Sequence, residues 1–196
     1  MKERLFIAIP LSDAVRNTLE ELQNQIEKDY GNIFRTLKSE NMHLTLHFLG
    51  DVESDNISSL VNKLSEVIPK YNTFSLTLGN TGAFPSIKKP KVVWIGAESS
   101  GEELTLIHGG IKPVLENAGI ETDSRPFRGH ITIAYGRKNI PFKLLREGGR
   151  KLENLKWEGG HKISVKEILL YKSNLTPAGA IHTPLHTFQL KPEGHN

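Results

Sequence analysis

Apolar and polar positions alternate along the chain with two different periods, and the switches between them mark out its elements. Arg4–Ile9 (RLFIAI) is rich in β-formers and is closed by Pro10, which predicts a buried strand. Ser12 then offers an N-cap, and Val15, Leu19, Leu22 and Ile26 are spaced for one helical face. Met42–Leu49 predicts a second strand, ended by Gly50-Asp51. From around Asp55 the pattern turns helical, with Ile57, Leu60, Val61, Leu64 and Ile68 inward and Pro69 near the end. Phe74–Leu78 and Val92–Ile95 predict strands joined by a loop that contains Gly82, Pro85 and Pro90. Leu104–Asn117 reads as helix despite Pro113, with Gly119 as its stop signal. Ile131–Ala134 predicts a strand, Pro141–Arg146 a short helix, and Ile163–Tyr171 and Leu185–Leu190 late strands. No Gly- or Ser-rich linker interrupts this order, and the mixture indicates an α+β architecture with mostly antiparallel sheets.

Composition narrows the class. Hydrophobic residues make up 37% and charged residues 24% of 196 positions, as in an ordinary soluble globular protein. The longest apolar runs, such as Leu5–Pro10, fall far short of the ~20 residues that a membrane span needs. The start, Met1-Lys2-Glu3-Arg4, mixes charges, and no signal-peptide core follows it. Zero cysteines exclude disulfides, thiolate metal sites and cysteine nucleophiles, and fit a cytoplasmic enzyme. A net charge of +3 and a pI of about 9.0 are too mild to define a genomic DNA binder. The basic residues are nonetheless grouped. Lys88, Lys89 and Lys91 surround Pro90, and Arg125, Arg128, Arg137 and Lys138 flank a motif described next. Such groups are either solvated faces or attractors of a phosphorylated ligand.

One tetrad occurs twice: His43-Leu44-Thr45-Leu46 and His130-Ile131-Thr132-Ile133. Each falls in a predicted strand. Successive side chains on a strand alternate faces, so each His shares a face with its Thr while the apolar pair enters the core. Same-face neighbours stand roughly 6.5 Å apart, which lets an imidazole and a hydroxyl touch different oxygens of one phosphate. One such tetrad is usually structural; two copies supply two imidazoles and two hydroxyls. Acid–base cleavage of a phosphodiester needs one neutral imidazole to accept a proton and one charged imidazole to donate. Histidine, titrating near 6.5, serves either role. Thr45, Thr132 and nearby backbone N–H groups would hold the non-bridging oxygens.

The paired tetrads resemble those of the two-histidine (2H) phosphoesterases, and the flanks resemble the RNA 2',3'-cyclic phosphodiesterase branch, once called 2'-5' RNA ligases. The matching segments are Arg4–Leu19, Asn41–Val52 (NMHLTLHFLGDV), Phe84–Gly96, Arg125–Ala134 (RPFRGHITIA) and Ser173–Leu190. They cover nearly the whole chain in order. The resemblance implies a single bilobal α+β domain over residues 1–196, with two mainly antiparallel sheets flanking a central cleft, helices outside and a pseudo-two-fold repeat. It implies hydrolysis of an RNA or nucleoside 2',3'-cyclic phosphate to a 2'-phosphomonoester without metal or cofactor, and weak reverse 2'-5' joining. By the same resemblance His43 is the acid and His130 the base. The implied partner is an RNA 3' end or a nucleoside cyclic phosphate, and the expected state is a monomer.

Two positions depart from the family pattern. Gly129 stands where many members have Pro before the second His, and Tyr135 stands where many have Arg or Lys five residues after it. Arg125, Arg128, Arg137 and Lys138 are the nearby cations, and of these Arg128 and Arg137 are the candidates for phosphate binding. Tyr135 is a candidate to stack on a base. Phe48, five residues after His43, either stacks on a base or packs in the core, since strict strand parity puts it opposite His43. His47 follows His43 by four, but on a strand the two stand roughly 13 Å apart, too far to share a metal. It reads as a cleft-rim or surface residue, His108 and His161 as surface residues, and Trp94 as core. His182 and His186 fall in the last hairpin and His195 in a polar tail, without the spacing of a site. The alternative functions are a non-catalytic RNA- or nucleotide-binding module, or a phosphodiesterase acting on another small cyclic phosphate or on 2'-5' oligoadenylate.

Overall fold

The computed structural model describes residues 1–153, 155, 157–177 and 179–192. The order is β1 (Lys2–Pro10), α1 (Asp13–Tyr30), β2 (Phe34–Thr36), β3 (His43–Glu53), α2 (Ser54–Ser65), β4 (Phe74–Ser86), β5 (Lys89–Ser99), α3 (Glu103–Glu116), β6 (His130–Gly136), α4 (Phe142–Glu153), β7 (Lys162–Val165), β8 (Glu167–Thr176) and β9 (Gly179–Gln189). Helix α1 begins as its sequence suggests: Ser12 Oγ accepts from the Val15 N–H at 3.4 Å, and Val15, Leu19, Leu22 and Ile26 are buried.

The strands form one sheet in the order β7-β4-β5-β6-β3-β1-β8-β9, with β2 also on β6. All of these ladders are antiparallel. The two expected sheets are present as its halves, β3-β1-β8-β9 and β7-β4-β5-β6. They meet where Leu44 of β3 pairs with Ile131 of β6, so the inward positions of both tetrads form the seam. Leu44, Leu46, Ile131 and Ile133 lie in the buried core cluster that runs through both halves. Helix α1 packs on β2 and β6, α2 and α3 pack on each other and on β3, and α4 packs on β4 and β5. No helix among the described residues is long and apolar enough to cross a membrane.

Several expectations change, the first at β3, which runs through its expected stop at Gly50-Asp51 to Glu53. The loop expected around Gly82, Pro85 and Pro90 is instead a long β4–β5 hairpin. The two prolines face each other beside a register slip near its tip, where a missing N–H costs no ladder bond. Gly82 is there because the Trp94 indole lies over it: an added Cβ would stand 2.2 Å from that ring. The strand expected over Ile163–Tyr171 is two strands, β7 pairing with β4 in one half and β8 with β1 in the other. Only Lys166 and Glu167, two weak strand formers, interrupt the run at this crossover, and a break that short does not show the change of partner. Helix α4 runs well beyond the expected Pro141–Arg146, burying Gly148, Gly149 and Leu152.

Candidate active site

Strands β3 and β6 carry the same local device. Opposite β1, Thr45 pairs with Ala8 and His47 with Ile7, leaving Leu46 as an extra residue. Opposite β5, Thr132 pairs with Trp94 and Ala134 with Val93, leaving Ile133 as an extra residue. Each bulge falls three residues after the His and reverses the alternation, because two consecutive residues then face inward. The inward pairs are Leu46 with His47 and Ile133 with Ala134, all buried. The residues that follow, Phe48 and Tyr135, therefore turn to the face that already carries His and Thr. Phe48 is 71% exposed there, which removes it from the core. The β6 bulge is held by Gln23 of α1, whose Nε2 donates to the Ile133 carbonyl at 2.7 Å.

The bulge also corrects the reading of His47. Its ring is buried, stacks on His108 at 4.2 Å between centroids, and bonds through Nε2 to the His108 carbonyl at 2.9 Å. It ties β3 to α3 and does not reach the cleft rim. His108 is likewise no surface residue: half-buried, it is sandwiched between His47 and Phe127, and burial with the His47 charge lowers it to about 4. His161 is exposed, and Trp94 is buried, as expected. His186 leans on Phe188, and His195 lies outside the described residues.

His43, Thr45, His130 and Thr132 line one cleft of about 330 Å³ with Phe48 and Tyr135. The Leu44–Ile131 pairing runs antiparallel, so each His lies across the seam from the Thr of the other tetrad. Both imidazoles are oriented alike. His43 Nδ1 is 2.8 Å from the Asn41 carbonyl, and His130 Nδ1 is 2.8 Å from the Arg128 carbonyl. A carbonyl only accepts, so Nδ1 carries the proton in each ring and Nε2 is left to exchange one with a ligand.

The surroundings of the two rings differ. Phe6 stacks on His43 at 4.7 Å and on Tyr171 at 5.0 Å, and His182 meets His43 edge-on at 5.3 Å. Burial, with the charge of His182, pushes His43 down to about 4. His130 has Phe84 edge-on at 5.0 Å and Trp94 at 6.1 Å. Burial lowers it as well, with the Arg128 charge a smaller cause.

The two candidate arginines stand elsewhere. Arg128 lies over the Trp94 ring at 5.7 Å and is absent from the cleft lining. Arg137 Nε donates to the Gly31 carbonyl at 2.6 Å, because β6 ends beside the C-terminus of α1. The cleft lining adds residues that periodicity did not mark: Arg4, Phe6, Asn41, Ser173 and His182. Phe6 sits in an apolar run that gives no sign of two different faces. His182 follows two-residue alternation on β9, but only the pairing of β9 with β8 brings that face to His43. Among the described residues no three His, Cys, Asp or Glu side chains gather as a metal ion would require.

A curled antiparallel sheet with a His-x-Thr pair from each half defines a phosphoesterase class. Residues 9–94 match the family model described as LigT like phosphoesterase. A protein of Aeropyrum pernix named RNA 2',3'-cyclic phosphodiesterase is 31% identical over 164 residues, 82% of this chain and 88% of that protein. One of the same name from Archaeoglobus fulgidus is 29% identical over 186 residues, 95% of this chain and 99% of the other. The chain belongs to this LigT-like, two-histidine phosphoesterase family. Among solved structures it is similar to TT0787 of Thermus thermophilus, with a TM-score of 0.79 at 26% identity, covering 97% of this chain and 100% of that one.

Proposed function

We propose that the protein hydrolyses RNA or nucleoside 2',3'-cyclic phosphate ends to 2'-phosphomonoesters, with His43 and His130 as the proton-transfer pair. One observation carries the reading: two rings from two half-sheets present Nε2 to a single cleft, each with Nδ1 tied to the carbonyl two residues upstream. The relatives named RNA 2',3'-cyclic phosphodiesterase supply the substrate class. His130 Nε2 takes a proton from water as the water oxygen attacks phosphorus. The P–O3' bond breaks, and His43 delivers its Nε2 proton to the departing O3'. Burial lowers both rings, so the division of roles is the one the family resemblance implies, and an anionic phosphate bound beside His43 favours the charged form that the acid must carry. Thr45 and Thr132 donate to the non-bridging oxygens. With a 5'-hydroxyl in place of water, the same steps give weak 2'-5' joining.

The test is product analysis on adenosine 2',3'-cyclic phosphate in excess EDTA, resolving adenosine 2'- from 3'-monophosphate. Turnover to the 2'-monophosphate, undiminished by the chelator, is expected. The 3'-monophosphate as main product overturns the bond assignment. Tight binding without turnover defines a nucleotide-binding module instead, and activity rescued by one divalent ion defines a metal-dependent enzyme.

A further inference from the structure

We infer that Arg4 and the groove beyond it form a second phosphate subsite, which takes the phosphodiester on the 5' side of the terminal nucleotide. The inference rests on the cyclic phosphodiesterase reading above and adds to it that the cleft is built for a chain rather than for a single nucleotide. Among the described residues, Arg4 is the only Lys or Arg that lines the cleft. Among the described residues no hydrogen bond or ion pair engages its side chain, which is exposed. The cleft does not end at Arg4. With Ser173 and Leu175 it also lines an adjoining hollow of about 410 Å³, to which Lys2, Glu3, Asp51, Lys172 and Asn174 contribute. Lys172 there is ion-paired with Glu3, and Lys2 with Glu53 at 3.9 Å. Asp51 is the cross-strand partner of Arg4 in the backbone register, yet its carboxylate forms no ion pair with the guanidinium.

Register sets the distance between the two phosphates. Arg4 stands one same-face step, roughly 6.7 Å, beyond Phe6, whose ring is stacked on His43. The Phe6 ring thus separates a phosphate held by His43 from one held by Arg4, a gap comparable to that between consecutive phosphates. Phe48, the cross-strand partner of Phe6 and strongly exposed, offers the intervening base a platform.

The pseudo-symmetry fails at this point, and that gives the groove a direction. Val92 pairs with Tyr135 as Phe6 pairs with Phe48, and two residues before Val92 stands Pro90, which is buried and uncharged. Arg35, which pairs with Tyr135 at that end, does not line the cleft. The upstream chain therefore leaves over β1 and β8.

The experiment compares adenosine 2',3'-cyclic phosphate with the ApA dinucleotide carrying the same cyclic end. The enzymes are the wild type, Arg4→Gln, Arg4→Lys and Arg35→Gln. The wild type is expected to favour the dinucleotide in kcat/KM by about tenfold, the scale of one charge-assisted hydrogen bond. Arg4→Gln should bring that ratio close to one, Arg4→Lys should retain part of it, and Arg35→Gln should leave it unchanged. For the dinucleotide, Arg4→Gln should also flatten the slope of log affinity against log salt by about 0.7. A ratio untouched by Arg4→Gln, or lost in Arg35→Gln, overturns the subsite. Equal losses on both substrates in Arg4→Gln overturn it too, by placing Arg4 on the scissile phosphate. Should neither substrate turn over, the phosphodiesterase reading fails, and titration with the 2'-phosphorylated mononucleotide and dinucleotide still decides the subsite by the same ratio.

Discussion

At the scale of single residues, the proposed chemistry depends on two imidazoles whose Nδ1 atoms bond to carbonyls two positions upstream. His43→Ala and His130→Ala should each lower kcat by at least ~100-fold with the circular dichroism spectrum unchanged, since each removes one proton-transfer partner. Thr45→Ala and Thr132→Ala should cost roughly 1–2 kcal/mol of transition-state binding, about tenfold in rate. The pH profile separates the roles. Burial lowers both rings in the free protein, so the bell in kcat/KM should peak on the acidic side of 6.5. An anionic phosphate raises both rings, so the bell in kcat should sit at higher pH. Residual activity in His130→Ala should lose the acidic limb and that in His43→Ala the basic limb; rate measurements from pH 4 to 9 decide. A flat wild-type profile, with chemistry rate-limiting, excludes histidine acid–base catalysis.

At the scale of elements, the bulges turn two ordinary amphipathic strands into site walls. Without its extra residue, β3 would bury Phe48 and expose His47; with it, the aromatic faces the cleft and the imidazole locks onto α3. The β4–β5 hairpin supports the other wall through Gly82 and Trp94. Gly82→Ala would place a methyl group 2.2 Å from the indole. Trp94 stands 6.1 Å from His130, so the displaced ring disturbs the site as well as the core. Urea unfolding should show a loss of about 1–3 kcal/mol, and kcat should fall with KM less affected. Unchanged stability and rate would show that the indole has room to move.

For the whole molecule, tertiary packing takes His43 against Phe6 and His182 and His108 between His47 and Phe127 out of water, and this couples folding to pH. His43 and His108 titrate near 6.5 when unfolded and near 4 when folded. Between those values the unfolded chain binds more protons, so stability should be full above pH 6.5 and decline as the pH falls toward 4. The His43 part is on the order of 3 kcal/mol. Urea midpoints at pH 7.5, 6, 5 and 4.5 measure it, and His43→Gln should flatten the decline. A midpoint constant over this range would mean that the rings titrate normally in the folded protein.

Much of this was legible in local order alone. Alternation placed His43 with Thr45 and His130 with Thr132, helical spacing marked α1, α2 and α3, and Ser12 marked where α1 begins, because each depends on neighbours a few residues apart. The site's outline could not be read that way. The bulges at Leu46 and Ile133 exist only in register with β1 and β5, so Phe48, Tyr135 and His47 took their faces from partner strands. The Ile163–Tyr171 run divided because its two ends pair in different halves of the sheet. Arg4, Phe6 and His182 reached the cleft, and Arg137 left it, through contacts between residues far apart in the chain. Periodicity along one chain determines which face of an element is apolar; which faces meet is decided by the pairing of strands that the chain brings together.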